Sequence, residues 1–219
     1  MLAPEAARTV VAREAARADL GRFIAACYYE PAPAFAEEDL FGSMAAAAAR
    51  VDPELEALAR RLGEAFAGAD LQDLLVDYTH LFLGPVDAQA QPYASVWLGG
   101  EHELMQDDTL AVLRLYEEGG FEIDEAFQDL PDHVAVELEF LYLLLFRENE
   151  ARLAADAAAG QAWAELRRRF LERHLGLWLG PFLRALHEHA RSGFYETLAE
   201  LTEAFVRQAA LERDGGCGR

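Results

Sequence analysis

Asp132 and His133 stand side by side in Leu130-Pro131-Asp132-His133-Val134, and Glu137 follows four residues after the histidine. On a helix that starts at Pro131, His133 and Glu137 share a face, and an imidazole and a carboxylate so placed can hold one metal ion. A transition-metal site takes three or four ligands, and nothing near in sequence completes the set. The other histidines are His80, His102, His174, His187 and His189, and none follows a glutamate at the three-residue spacing of di-iron bundles. A second reading needs no metal. An acid at a helix N-terminus is favoured by the helix dipole, and His133 can hydrogen-bond to a loop carbonyl.

Motifs for covalent chemistry are missing. The serines are Ser43, Ser95 and Ser192, and none lies in a Gly-x-Ser-x-Gly elbow. The chain has no lysine, which excludes a standard phosphate-binding loop, and no Gly-x-Gly-x-x-Gly. Two cysteines make no disulfide framework. Cys27 lies in an apolar helical stretch and reads as a buried free thiol, whereas Cys217 falls in a glycine-rich tail, residues 214–219, expected to be flexible. The expectation is a protein that is not an enzyme.

Aromatic residues suggest binding instead. Tyr78, Leu81 and Phe82 fall on one helix face, a pattern that serves core packing unless its neighbours open a groove. Pro92 and Tyr93 lie in an irregular stretch, where an aromatic can border a groove, and Trp97 offers an apolar face and an N–H. Asp129, Asp132 and His133, with the acidic stretch Glu122 to Asp129, would rim it. Carboxylates hold guanidinium groups and aromatic faces take aliphatic ones, so the groove suits a peptide with arginines followed by hydrophobic residues.

The elements that position these residues read as helices throughout. Hydrophobic content is 53% over 219 residues and much of it is alanine, the best helix former. The periodicity predicts a helix from about Pro4 to Tyr28, stopped by Glu30-Pro31-Ala32-Pro33, then one around Glu37 to Arg50. Asp52-Pro53 offers an N-cap and a first-turn proline, and Asp70 caps the helix carrying Tyr78, which Gly84-Pro85 ends. Residues 86–100 read as loop. Asp107-Asp108-Thr109 and Gly119-Gly120 bound another helix, and Pro131 starts the most apolar one, expected to be central. Helices near Gly160 to His174, Leu177 to Ala190 and Phe194 to Arg213 complete the set, with Arg167-Arg168-Arg169 as a solvated turn. The expected fold is all-α, a single-domain bundle of about nine or ten helices over residues 1–213.

Formal net charge is −20, from 39 acidic against 19 basic residues, and such a surface repels nucleic-acid phosphates and anionic lipid while attracting a cationic peptide. There is no apolar run of bilayer length, and Met1-Leu2-Ala3-Pro4-Glu5 lacks the basic region of a signal peptide, so a cytoplasmic location is expected.

The combination Tyr78-Thr79-His80-Leu81-Phe82, Pro92-Tyr93 and Asp132-His133 resembles the TorD/DmsD/NarJ family of cytoplasmic chaperones for molybdenum-containing oxidoreductases. Tyr28-Tyr29-Glu30-Pro31 and the stretch from Trp178 to Val206 are weaker echoes, and the Asp-His pair points toward the TorD/DmsD branch. The resemblance implies an all-helical binder, monomeric or a domain-swapped dimer, with no cofactor of its own. Its partner would be an immature molybdoenzyme catalytic subunit, recognised by an arginine-containing leader, whose export it delays and whose cofactor insertion it assists. By the resemblance, leader binding would fall on Tyr78, Leu81, Phe82, Pro92, Tyr93, Asp132 and His133, and the reading of the residues adds Trp97, Asp129 and Glu137 as candidates. Asp129-Leu130-Pro131 departs from the family's acid and proline ahead of the Asp-His pair, and Tyr93 stands where tryptophan is common, which leaves the client open. The alternative is a helical metal- or cofactor-binding enzyme using His133 and Glu137.

Overall fold

Helix starts fall where short polar side chains cover open backbone amides. In the computed structural model, which describes residues 4–83, 88–98, 106–123 and 130–211, Asp52 Oδ1 accepts from the Glu54 amide at 2.8 Å and Asp70 Oδ1 from the Gln72 amide at 2.8 Å. Asp156 does the same for Ala159 at 3.0 Å. Among the described residues the fold is all-α, with eleven α-helical segments: α1 (Pro4–Ala26), α2 (Ala34–Glu37), α3 (Leu40–Val51), α4 (Pro53–Gly68), α5 (Leu71–Phe82), α6 (Ala94–Leu98), α7 (Gln106–Gly119), α8 (Val134–Leu153), α9 (Ala157–Phe170), α10 (Gly176–His189) and α11 (Gly193–Ala210). The expected stop at Gly84-Pro85, the acidic stretch from residue 124, Asp129 itself and the tail with Cys217 lie outside the described residues.

Three expectations about the elements are corrected. The helix expected over Glu37 to Arg50 divides into α2 and α3, because Asp39 takes a left-handed backbone, φ 50°. The loop expected over residues 86–100 contains α6, which borrows its capping groups from elsewhere in the chain. The helix expected from Pro131 begins at Val134, since residues 131–132 form a turn and His133 is the N-cap.

α8 is central, as its apolar surface requires. Val134, Leu138, Leu141 and Leu144 are all fully buried, between α1 and α9. α1 runs antiparallel to it: Tyr29 meets Glu139, Arg22 lies over the Tyr142 ring, and the Val11 carbonyl meets Asn149. α3 and α4 pack as a pair beside α1, and α11 closes against α4 and α10. Asp77 ties α5 to this end, its carboxylate accepting from the amides of Arg191 and Ser192, at the start of α11. Cys27 is buried as expected, and desolvation pushes its thiol pKa up.

The arginine triplet is not a solvated turn. Three successive residues span about 200° of a helix, so one of them faces inward: Arg167 is 4% exposed, with Nε donating to Glu148 Oε2 at 3.0 Å and a second bond to the Ala209 carbonyl. Arg168 pairs with Glu165 and Glu172, and Arg169 with Glu118.

α9 and α10 form one rod through a π-turn at Leu171–Leu175. The sequence explains it. Leu166, Phe170, His174, Trp178, Phe182 and Leu186 recur every four residues and all are buried. On an α-helix each such step over-rotates by about 40°, so the stripe would swing ~200° round and out of the core. The wider π-turn resets the phase, with the Gly176 amide donating to the Leu171 carbonyl five residues back. A Cβ on Gly176 would stand 2.3 Å from that carbonyl oxygen, so only glycine fits. Gly176→Ala is therefore expected to lower stability by about 1–3 kcal/mol, the scale for forcing atoms into a packed site, read as a lower urea midpoint with native helical content retained below it.

Candidate functional site

A helix C-terminus leaves carbonyls without amides and an N-terminus leaves amides without carbonyls. Residues 88–98 lie between one of each. Gln89 and Ala90 donate their amides to the His80 and Leu81 carbonyls at the end of α5, at 3.2 and 2.8 Å. Pro92, which has no amide to satisfy, accepts from the Val134 amide of α8 at 2.8 Å. Tyr93 and His133 form an isolated antiparallel bridge. Asp132 then supplies both groups that α6 needs: its carbonyl accepts from Ala94 N at 3.0 Å and its Oδ2 from Ser95 N at 2.9 Å.

His133 closes the other helix. Its Nδ1 accepts from the Ala135 amide at 3.1 Å, which places the proton of the neutral ring on Nε2. The ring stacks on Tyr29, interplanar angle 5°, and meets Tyr93 edge-on at 5.4 Å. Tyr29 in turn donates its hydroxyl to Glu139 Oε1 at 3.0 Å, and Tyr116 donates to the Pro131 carbonyl at 3.0 Å. Trp97 spends its indole N–H on the Gln91 carbonyl at 2.8 Å. The structure alters both roles read from the sequence: Asp132 serves the N-terminus of α6 and not that of its own helix, and His133 Nδ1 accepts an α8 amide where a bond to a loop carbonyl was expected.

Glu137 does not face a metal shared with His133. It is 0% exposed, Oε1 lies 2.8 Å from His174 Nε2, and Oε2 accepts from Trp178 Nε1 at 3.1 Å. Both oxygens are taken, and among the described residues no three His, Cys, Asp or Glu side chains could gather round a metal ion. Burial raises the Glu137 pKa above its ordinary value of 4.5, the His174 and Trp178 contacts pull it back, and Asp132 adds to the rise.

Leu81, Phe82, Pro92, Asp132, His133 and Glu137 are all buried, while Tyr78, Tyr93 and Trp97 are half-buried. Phe82 is packed by Tyr28, Tyr78 and Tyr195. Exposed aliphatic side chains stand at the ends of the same elements: Leu83 after α5 is 48% exposed, Val96 on α6 is 43%, and Leu130 ahead of the turn into α8 is 49%. These elements thus carry half-buried rings together with exposed aliphatic side chains.

The sequence pattern of the family described as nitrate reductase delta subunit matches residues 48–184, a span that contains all of these groups except Tyr28, Tyr29 and Tyr195. The chain belongs to the TorD/DmsD/NarJ family of molybdoenzyme maturation chaperones. The chaperone protein TorD of Escherichia coli is 31% identical over 160 residues, covering 71% of this chain and 73% of that protein. TorD of Shewanella loihica is 27% identical over 176 residues, covering 78% and 77%. TorD of Vibrio parahaemolyticus is 30% identical over 135 residues, or 62% of this chain and 61% of its own length. The family's relatives are named as chaperones, a role without catalytic turnover.

Several members of the site escape a reading of the sequence, among them Tyr116, Ser95, His174 and Trp178. Tyr116 and Ser95 have no local signal. His174 and Trp178 sit one helical turn apart, but their partner is 37 and 41 residues away.

The titration of Glu137 gives a direct check. A carboxyl whose pKa is higher in the folded than in the unfolded chain stabilises the fold below the unfolded value, and loses that contribution as pH rises through the folded one. Glu137→Gln removes this slope, so its stability relative to the parent is expected to improve as pH is raised from 4.5 toward neutrality. Urea unfolding at several pH values measures it; a constant difference would contradict the assignment.

Proposed function

We propose that the chain acts in the cytoplasm by binding the arginine-containing leader, or N-terminal segment, of an immature molybdoenzyme catalytic subunit. Held there, the client is kept from premature export while its cofactor is inserted. The observation that carries this reading is the exposure pattern of residues 88–98 and the segments tied to them: Tyr78, Tyr93 and Trp97 are half-buried, and Leu83, Val96 and Leu130 are exposed. Leu81, Phe82, Pro92, Asp132, His133 and Glu137 shape that face from behind, and Asp129 joins them on the sequence pattern alone. The apolar part of the leader lies on the aromatic and aliphatic groups. Its arginines are drawn in by the net charge of −20 and pair with carboxylates at the border, among them Glu139, which Tyr29 holds beside His133. No helix among the described residues is long and apolar enough to cross a membrane, which agrees with a chaperone that meets its client before export. Residues 1–213 act as one folded unit in this role, as a monomer or a domain-swapped dimer.

The test is capture of the tagged chain from its native host, followed by titration of the leader peptide found on the captured client. Val96→Asp and Leu130→Asp place a charge on exposed positions, so melting temperature is expected to stay constant. Peptide affinity is expected to fall by about tenfold or more, the equivalent of losing one buried aliphatic contact. Unchanged affinity in both variants would remove this face from the binding site. Capture only of mature, cofactor-loaded complexes would point to a structural subunit instead.

A further inference from the structure

The buried centre formed by Glu137, His174 and Trp178 lies outside the binding face, yet it sits at the joint that holds it. Glu137 is in the first turn of α8, and its amide donates to the His133 carbonyl at 3.1 Å. Its side chain, 0% exposed, reaches across to the π-turn and to α10, where His174 and Trp178 take one oxygen each. π-turns interrupt regular helical bonding and recur at functional positions. Here the turn brings an imidazole, itself 3% exposed and stacked on Phe170, onto a carboxylate in the interior. Apolar packing alone would not need that carboxylate, since a buried polar group is costly unless it is fully bonded.

What the centre fixes is the azimuth of the first turn of α8. From that turn hang the His133 cap, the Tyr93–His133 bridge, the Val134–Pro92 bond and the two Asp132 bonds to α6. Every backbone tie between α8 and residues 88–98 is therefore made within five residues of Glu137 in sequence. The titratable groups around Glu137 are His174 on the π-turn, Asp132 before α8, and Tyr116 on α7. Asp132 Oδ2 and the Tyr116 hydroxyl are bonded to residues 95 and 131, and Asp132 Oδ1 is buried without a hydrogen bond; the groups bonded to the Glu137 carboxylate are His174 and Trp178.

We propose that His174 and Trp178 are positioning residues for the binding face: acting through Glu137, they lock the first turn of α8 and with it residues 88–98. This rests on the reading that those residues bind the leader, but the lock is measurable without any peptide. His174→Leu and Trp178→Phe remove one hydrogen-bonding group each and keep most of the volume. Glu137→Gln keeps an acceptor for the Trp178 N–H and offers an N–H to His174.

The experiment is native-state amide hydrogen exchange on the full chain, with α3 and α4 as internal reference, followed by titration of a client leader peptide. In Trp178→Phe and His174→Leu, exchange at residues 89–98 and 133–137 is expected to rise by about tenfold while α3 and α4 stay at the parental rate. Glu137→Gln is expected to hold parental rates at both places. If His174→Leu fails to fold, Trp178→Phe decides the matter alone. A rise spread evenly over the chain, or none at residues 89–98, overturns the positioning role. A local rise with unchanged peptide affinity keeps the positioning role and overturns the reading of that face as the leader site.

Discussion

Asp132 is the residue on which the site depends. Its carbonyl and carboxylate satisfy two successive amides of a five-residue helix that has no cap of its own, and it does so with 0% exposure. A helix as short as α6 does not persist alone in water. It exists because a fixed acceptor pair stands opposite it, and that pair stands there because the next residue, His133, caps α8. Two adjacent residues thus serve two helices in different directions. Their neighbours Pro92, Tyr93 and Trp97 are shaped by the same few bonds, and the aromatic and aliphatic surface follows from them.

The chain is strongly acidic outside and spends its arginines deliberately. Arg17 pairs with Glu14 inside the bundle, and Glu148 receives both Arg152 and Arg167 where α8, α9 and α11 meet. Some exposed arginines pair with a glutamate one turn away, as Arg60 does with Glu56 and Arg147 with Glu150, and others, such as Arg61 and Arg207, pair between helices. Such surface pairs add little stability each, but they leave the excess of carboxylates to set the long-range field. In the proposed function this field attracts a cationic leader at a distance and the exposed aliphatic groups select it by contact.

The bundle was largely legible in the sequence, and the site was legible in part. Caps that work within three residues, such as Asp52, Asp70 and Asp156, are local chemistry and were readable, although only the first two were read. The centrality of α8 followed from its apolar residues. The division at Asp39 was hidden because a left-handed aspartate leaves no composition signal. α6 was hidden because its capping groups come from Asp132, 37 residues ahead in the chain. His133 and Glu137 looked like partners from their spacing. In the structure each turns away from the other, because Glu137 finds His174 and Trp178 on the far side of the core. Arg167 looked solvated among its neighbours because nothing in a triplet of like charges says which one faces Glu148.

In the proposed function another chain docks on the face of residues 88–98 while Asp132 and His133 stay behind it as supports. Titrating an isotopically labelled sample with a client leader peptide, and following backbone amide and side-chain methyl signals, tests it most directly. Saturable shifts are expected at Leu83, Tyr93, Val96, Trp97 and Leu130, with the Ser95 and Ala135 amides still protected from exchange in the bound state. Shifts centred on α4 and α11, or loss of protection at Ser95 and Ala135 on binding, would contradict it.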